Sequence, residues 1–319
     1  MKCLYCGKDI DSTELVENNW HKKCIKRFFG ISSIPKLEIT DDKLVDLVDN
    51  SVNKGMTIPG VQKKISLHLS HEGTYRLTVV DYPTGFILKP QTNEYENLPE
   101  YEDLAMRLAD CVGIETVPHA LILLNSSYAY ITKRIDRDIK KNHCEKYAME
   151  DFCQLANHLT IDKYKSSYEY CGKIINKYSS RPGIDVAEMF YRIIFSFVIG
   201  NSDMHLKNFS LIETEPGSRE YVLSDAYDIL SVNAILPEDT EQMALTVNGK
   251  KKNILYKDFI QLAKNCNIPE KVAISLIKKI CSYKEEMFKE VDESYLTEEQ
   301  KGKIKELINE RIYRLTVDK

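Results

Sequence analysis

Gly200-Asn201-Ser202-Asp203-Met204-His205-Leu206-Lys207-Asn208-Phe209 follows an apolar helical pattern over residues 186–199 and runs into a strand-like stretch, Ser210–Glu213. So many polar side chains between an apolar helix and an apolar strand mark a loop that presents chemistry, since neither packed element needs them. Beyond the loop, residues 221–224 can return against Ser210–Glu213 across Pro216-Gly217, and Asn248-Gly249 after residues 244–247 is a two-residue turn signal. Helical patterns dominate after Arg134, including residues 257–264 and the alternation of apolar and charged positions over 270–319. Before Arg134 the pattern is different. Residues 65–69, 75–80, 86–88 and 120–124 suit strands and are punctuated by Gly60, Gly73 and Gly85. One helix interrupts them at 100–112, where Leu104, Leu108 and Val112 recur every four residues. The expectation is an α+β chain: a small β-rich lobe over 31–131, a larger, mainly helical lobe over 132–319, and a cleft between them where ligands bind. Residues 1–30 form a separate short knuckle in this reading.

The chain has 319 residues, 43% of them hydrophobic and 29% charged, which is enough to bury a substantial core. Its net charge of −4 argues against a surface built throughout for nucleic acid, although 44 Lys and Arg leave room for a local basic patch. Nucleic acid is therefore not expected as a direct substrate. No apolar run approaches the roughly 20 residues of a membrane span, and Met1 leads into charged and Cys-bearing sequence rather than a secretory signal. An odd total of nine cysteines, six without motif spacing, fits a reducing cytoplasm better than a disulfide framework.

Asp203 and Asn208 stand five positions apart in the polar loop, as when a carboxylate accepts a substrate hydroxyl proton and an amide oxygen binds magnesium. Twenty residues on, Leu223-Ser224-Asp225-Ala226-Tyr227-Asp228-Ile229 offers two carboxylates for an oxygen-only Mg²⁺ site, and spacing does not choose between Asp225 and Asp228. Lys89 ends an apolar strand before Pro90 and is of the type that pairs with phosphates; Glu102, near the start of the inserted helix, is typed to hold its ammonium. Met56-Thr57-Ile58-Pro59-Gly60-Val61-Gln62-Lys63-Lys64 supplies a loop in which Gly60 permits close backbone approach to phosphate and the lysines add charge.

Taken in order, these residues resemble the HipA-like kinases, toxins of bacterial toxin-antitoxin modules, and especially the shorter HipT-like members. The resemblance covers residues 50–319. It is carried by Gly60-Val61-Gln62-x-Lys64, Ile87-Leu88-Lys89-Pro90, the Glu102 helix, Lys133-Arg134-Ile135-Asp136-Arg137, Glu150-Asp151-Phe152-Cys153-Gln154, Gly200-x-x-Asp203-x-His205-x-Lys207-Asn208-Phe209 and Tyr227-Asp228-Ile229-Leu230-Ser231. It implies a bilobal protein-kinase-like fold and ATP- and Mg²⁺-dependent phosphorylation of serine or threonine in a protein. By the same resemblance residues 60–64 cover the ATP phosphates, Lys89 contacts them, and residues 132–135, with Lys133 and Ile135, form the adenine-side hinge. Asp203 is the base, His205 a residue of the catalytic loop, and Asn208 and Asp228 the magnesium ligands. The implied substrate is an aminoacyl-tRNA synthetase, and the implied partners are a small HipS-like companion and a DNA-binding HipB-like antitoxin.

Relatives carry an autophosphorylated serine before the glycine loop. Here Thr57 takes that place, and Pro59 replaces a second serine of the HipT-like members. Thr57 is thus the expected autophosphorylation site, where a phosphate adds about −1.5 to −2 charges beside bound nucleotide.

Cys3-x₂-Cys6-x₁₄-His21-x₂-Cys24 offers four ligands in two close pairs, the distribution of a Cys₃His structural zinc site. Two other functions compete with an active kinase: an inactive nucleotide-binding pseudokinase, and a zinc-bearing scaffold of an antitoxin–DNA complex. Lys89, Asp203, Asn208 and Asp228 are all present, which favours activity.

Overall fold

A computed structural model describes residues 2–11, 16–37, 64–72, 74–78, 84–124, 126–140 and 143–317. The loop bearing Thr57, Gly60, Val61, Gln62 and Lys63 lies outside the described residues, while Lys64 is exposed just before the strand Ile65–Glu72. Contacts group the chain into two compact units, Met1–Asp103 with Val117–Cys144 and Leu104–Thr116 with Glu145–Lys319.

The first unit is organised by a six-stranded sheet in the order Lys36–Leu37, Thr74–Thr78, Ile65–Glu72, Phe86–Pro90, Ser127–Lys133, His119–Leu124. Only the first of these pairings is parallel. Ile65 and Leu67 are buried while Ser66 between them is exposed, the alternation that pleating imposes on a strand with one wet face. Phe86–Pro90 is central and lacks that alternation, with Phe86, Leu88, Lys89 and Pro90 all buried. Its register sets Lys89 opposite Tyr130 and Phe86 opposite Lys133.

Ser127–Lys133 was not among the expected strands, and it pairs on both edges, with Phe86–Pro90 and with His119–Leu124. Ala129, Tyr130 and Ile131 are buried in succession, so the segment shows no period-two pattern, and its β structure comes from its two neighbours. Residues 132–133, read as hinge, are the end of this strand.

In the second unit Met149–Asp151, Ser210–Glu213 and Tyr221–Leu223 form an antiparallel sheet, with Leu211 opposite Leu223 as the expected hairpin requires. The helix Pro182–Ile199 is buried at every position from Met189 to Ile199, as a helix apolar on all sides must be. Proline at its first position lacks only an amide hydrogen that would have been unsatisfied anyway. Two buried side chains tie the hairpin to this helix: Asp185 Oδ2 accepts from the Leu223 amide at 2.9 Å and Arg192 Nη1 donates to the Ser224 carbonyl at 2.7 Å. The polar loop therefore runs between two elements that are fixed to each other. Residues 244–247 form only isolated bridges rather than a strand, but Asn248-Gly249 makes the expected turn, with φ of 49° and 76° and reciprocal bonds between Val247 and Lys250. Among the described residues no helix is long and apolar enough to cross a membrane.

Gly200 ends the buried helix at φ 70°, and a Cβ there would lie 2.5 Å from Leu307 Cδ2 and 3.1 Å from Asn233 Cβ. Gly200→Ala is therefore expected to lower unfolding stability by about 2 kcal/mol through left-handed strain and overpacking. Urea denaturation checks this; an unchanged midpoint would mean that the loop entry tolerates a side chain.

Candidate functional site

Strand geometry turns Lys89 inward. Its ammonium is ion-paired with Glu102 Oε1 from the helix Leu98–Cys111, and the two side chains are only 3% and 2% exposed. Such a pair persists only if both charges remain, since removing one partner strands the other out of water at a cost of about 3–5 kcal/mol. Tyr130, opposite Lys89 in register, centres its ring 5.4 Å from the ammonium. Behind it His119 stacks on Tyr130 at 5.9 Å, with Nδ1 3.3 Å from Asp103 Oδ1. Burial, reinforced by Asp103 and Glu96, pushes the Glu100 carboxyl up to about 7 against the pull of its own backbone amide.

The hinge motif contains a clasp. Arg134 Nε and Nη2 donate to the two Asp136 oxygens at 2.9 and 2.8 Å, and Arg137 Nη2 donates to Oδ2 at 2.7 Å. Against burial, which raises it, these guanidiniums hold the Asp136 carboxyl down to about 2. Lys133 is exposed and Ile135 half-buried.

In the second unit the loop that carries Asp203 is braced on every side. Asn201 Oδ1 accepts from the Asp203 amide at 3.2 Å, the His205 amide donates to the Asp203 carbonyl at 2.8 Å, and Tyr168 OH donates to the Met204 carbonyl at 2.9 Å. Ser202 Oγ donates to Asp239 Oδ2 at 2.8 Å. Asn233 Nδ2 spans Ser202 Oγ, Asp239 O and Glu241 O while its own oxygen accepts from Arg311. Asp203 itself, half-buried, accepts from Tyr164 OH at Oδ1. Burial first and the Asp203 carboxylate second push that phenol up, so Tyr164 stays protonated and donates. His205 is buried edge-on to Tyr164, with ring centroids 5.0 Å apart.

Lys207 Nζ reaches Asp151 Oδ2 at 2.6 Å. Asp151 also caps the helix Phe152–Leu155 in a capping box with Gln154, which accounts for the Glu150-Asp151-Phe152-Cys153-Gln154 motif. Tyr227 OH donates to the Lys207 carbonyl at 3.0 Å.

Asn208 and Asp228 meet. Asn208 Nδ2 donates to the Asp228 carbonyl at 3.2 Å, which Asp228 presents from a left-handed backbone at φ 60°. With its amide nitrogen so fixed, Asn208 Oδ1 is buried and has no hydrogen-bond partner among the described residues. A buried acceptor left over on a residue that meets an aspartate through its backbone fits a hard divalent cation such as Mg²⁺. Asp225 is in different company: burial and then Glu115, ahead of Glu188 and Asp110, raise its carboxyl despite Arg192.

Sequence reasoning missed Tyr164 and Asn233, and it gave Tyr227, part of a motif that carries the resemblance, no role of its own. Tyr227 adjoins Asp228, but Tyr164 lies 39 residues before Asp203 with no spacing signal to link them.

These features define a mixed α/β chain with a buried lysine–glutamate pair and a loop of aspartate and asparagine. The profile described as HipA-like C-terminal domain matches residues 56–287, and the chain belongs to that family. Two Sinorhizobium fredii proteins, named “Putative kinase Y4mE” and “Putative kinase Y4dM”, are each 30% identical to it, over 64% and 70% of this chain and 48% and 56% of their own lengths. The chain thus spans about half the length of these two curated relatives. A Haemophilus influenzae protein named “Putative kinase” is 26% identical over 76% of this chain and 77% of its own. Among solved structures, the complex of the Shewanella oneidensis toxin-antitoxin system HipA, HipB and operator DNA contains a chain matched with a TM-score of 0.70 at 17% identity, covering 87% of this chain and 70% of that one. The Helicobacter pylori proinflammatory kinase CtkA matches with a TM-score of 0.56 at 18% identity, covering 82% and 92%. At these identities the likeness is one of fold.

Glu100 yields a pH dependence. Its folded-state value lies above its unfolded one, so its favourable contribution is complete below about pH 4 and is lost as pH rises through about 7. Glu100→Gln, uncharged throughout, is expected to raise the thermal midpoint over the parent at about pH 8 and to leave it nearly unchanged at about pH 4. Equal shifts at both pH values would show that the Glu100 carboxyl titrates alike in the folded and unfolded chain.

Proposed function

We propose that this chain is an ATP- and Mg²⁺-dependent serine/threonine protein kinase and the toxin of a HipA/HipT-like toxin-antitoxin system. The observation that supports it best is Asn208 Oδ1, a buried acceptor with no partner among the described residues, beside Asp228 and on the same loop as Asp203. In this reading Asn208 and Asp228 hold Mg²⁺, which neutralises phosphate oxygens when bound. Lys89, kept charged by Glu102, contacts the nucleotide phosphates, with Gly60, Val61, Gln62, Lys63 and Lys64 covering them and Lys133 and Ile135 on the adenine side.

Asp203 accepts the proton of the substrate hydroxyl as that oxygen bonds the γ-phosphorus; the bond from the γ-phosphorus to the β–γ bridging oxygen breaks, and ADP leaves with that electron pair. Tyr164 orients the Asp203 carboxylate and, by donating to its charged form, keeps it ready to take a proton near neutral pH.

The kinase names of the relatives and the toxin-antitoxin complex among the fold matches support the same reading. The substrate follows as a translation component such as an aminoacyl-tRNA synthetase, and the partners as a HipS-like companion and a DNA-binding HipB-like antitoxin. Thr57 is the proposed autophosphorylation site.

Incubation with γ-labelled ATP and Mg²⁺ is expected to label the chain at Thr57 by phosphopeptide mapping. Asp203→Asn should reduce labelling by about a hundredfold to ten-thousandfold. Nucleotide binding without transfer in the parent chain would instead identify a pseudokinase. Tyr164→Phe keeps the ring but removes the donor, so the Asp203 pKa rises and the acidic limb of the rate–pH profile moves to higher pH, with kcat lowered more than KM is changed. A profile identical to the parent's would rule out this positioning role.

A further inference from the structure

Residues 3–24 hold a cluster that the kinase chemistry does not use. Cys3, Cys6, His21 and Cys24 each offer one ligand atom, and all four atoms lie within 4.8 Å of one another. His21 Nδ1 lies 3.4 Å from Cys6 Sγ and 3.7 Å from Cys24 Sγ. Zinc bonds of about 2.3 Å to sulfur and about 2.0–2.1 Å to nitrogen, at tetrahedral angles, set sulfur and nitrogen ligands about 3.6 Å apart. The two edges from His21 Nδ1 are thus already close to those that a zinc ion would impose.

The backbone supports the same geometry. Cys3 and Cys6 flank a tight knuckle in which the Gly7 amide donates to the Cys3 carbonyl at 2.9 Å, with Gly7 at φ 67°. The His21 amide donates to Cys3 Sγ at 3.5 Å, an outer contact that stabilises negative charge on a metal-bound thiolate. Cys24 sits in the first turn of the helix Lys22–Phe29, directly after His21, so the helix start delivers two ligands to the two from the knuckle.

The module has little else to fold on. Its strands, Val16–Glu17 and Trp20–His21, are two residues long and its helix has eight. Its core is aromatic: Trp20 stacks on Tyr5 at 5.6 Å and meets Phe28 at 5.5 Å. That core continues into the sheet of the first unit, where Phe28 and Phe29 lie 5.8 and 5.5 Å from Phe86, the residue that begins the Lys89 strand. The Leu121 amide also donates to the Leu4 carbonyl at 3.1 Å, covering part of the His119–Leu124 edge.

We propose that Cys3, Cys6, His21 and Cys24 bind one Zn²⁺, and that this ion holds the aromatic module against Phe86 and so steadies the strand that carries Lys89. Three thiolates and an imidazole fill all four tetrahedral positions, which makes the site structural rather than catalytic. The docking follows from the size of the module, because a segment this short lacks the buried area to stay folded unaided.

Trp20 is the only tryptophan of the chain, so it reports on this module alone. The full chain purified without added metal is expected to contain one zinc per molecule by elemental analysis. Replacement by Co²⁺ should give thiolate-to-cobalt charge-transfer absorption and tetrahedral d–d bands, and chelation should shift Trp20 emission to the red, reversibly on adding Zn²⁺. Cys6→Ser should lower the zinc content. No zinc in the parent chain together with no charge-transfer band on adding Co²⁺ would overturn the site, as would a full equivalent of zinc in the Cys6→Ser, Cys24→Ser double variant. Unshifted Trp20 emission from verified metal-free protein would overturn the structural role. None of these readouts depends on phosphate transfer.

Discussion

Lys89 and Glu102 are both buried, and neither charge could stay out of water without the other. That constraint fixes much of the first unit. The strand Phe86–Pro90 must keep its register against Ser127–Lys133, because register sets Tyr130 opposite Lys89. A slip of one residue would turn Lys89 to the other face of the sheet and leave Glu102 buried without its partner. The helix must likewise keep the azimuth that aims Glu102 at the sheet. Phe86, three residues before the lysine, meets the aromatic pair Phe28 and Phe29, so the strand is anchored at one end by packing and near the other by charge.

In the second unit most of the polar side chains around the Asp203 loop find partners, and Asn208 Oδ1 is among the buried atoms that do not within the described residues. Asn201, Ser202 and Asn233 use their side chains to brace the loop, and the Met204 carbonyl is met by Tyr168. Against that background Asn208 Oδ1, unpartnered among the described residues, is not explained as slack packing, because the nitrogen of the same amide is engaged with the Asp228 carbonyl. A residue held at one atom and left open at another is compatible with the metal-ligand role proposed for Asn208.

What could be read from the residues alone followed their separation along the chain. Asp203 and Asn208 share one loop, so their spacing carried meaning; Lys89 and Glu102 were recognisable by type and by the elements on which they sit. Tyr164 is joined to Asp203 only by the folded chain, and its neighbours show no periodicity that points to it. Ser127–Lys133 was hidden for a related reason: a strand buried on both faces and paired on both edges has no polar face to give it a period. The end of the buried helix at Gly200 was the easier part, whereas its start, read at residue 186, lies at Pro182.

The choice between Asp225 and Asp228 shows where spacing stops and geometry takes over. Both are aspartates on the segment after Leu223, and resemblance alone separated them in the sequence. In the structure Asp228 holds a left-handed backbone at φ 60°, a conformation that costs most residues about 1–2 kcal/mol and that aspartate, asparagine and glycine tolerate best. That turn brings the Asp228 carbonyl to the Asn208 amide. Glycine there would keep the turn without a carboxylate, and asparagine would keep it without the charge. Aspartate suits the backbone and also supplies the charge that the proposed metal role asks for, whereas burial and Glu115 raise the Asp225 carboxyl. The left-handed backbone at position 228 and the proposed metal role therefore ask for the same residue type.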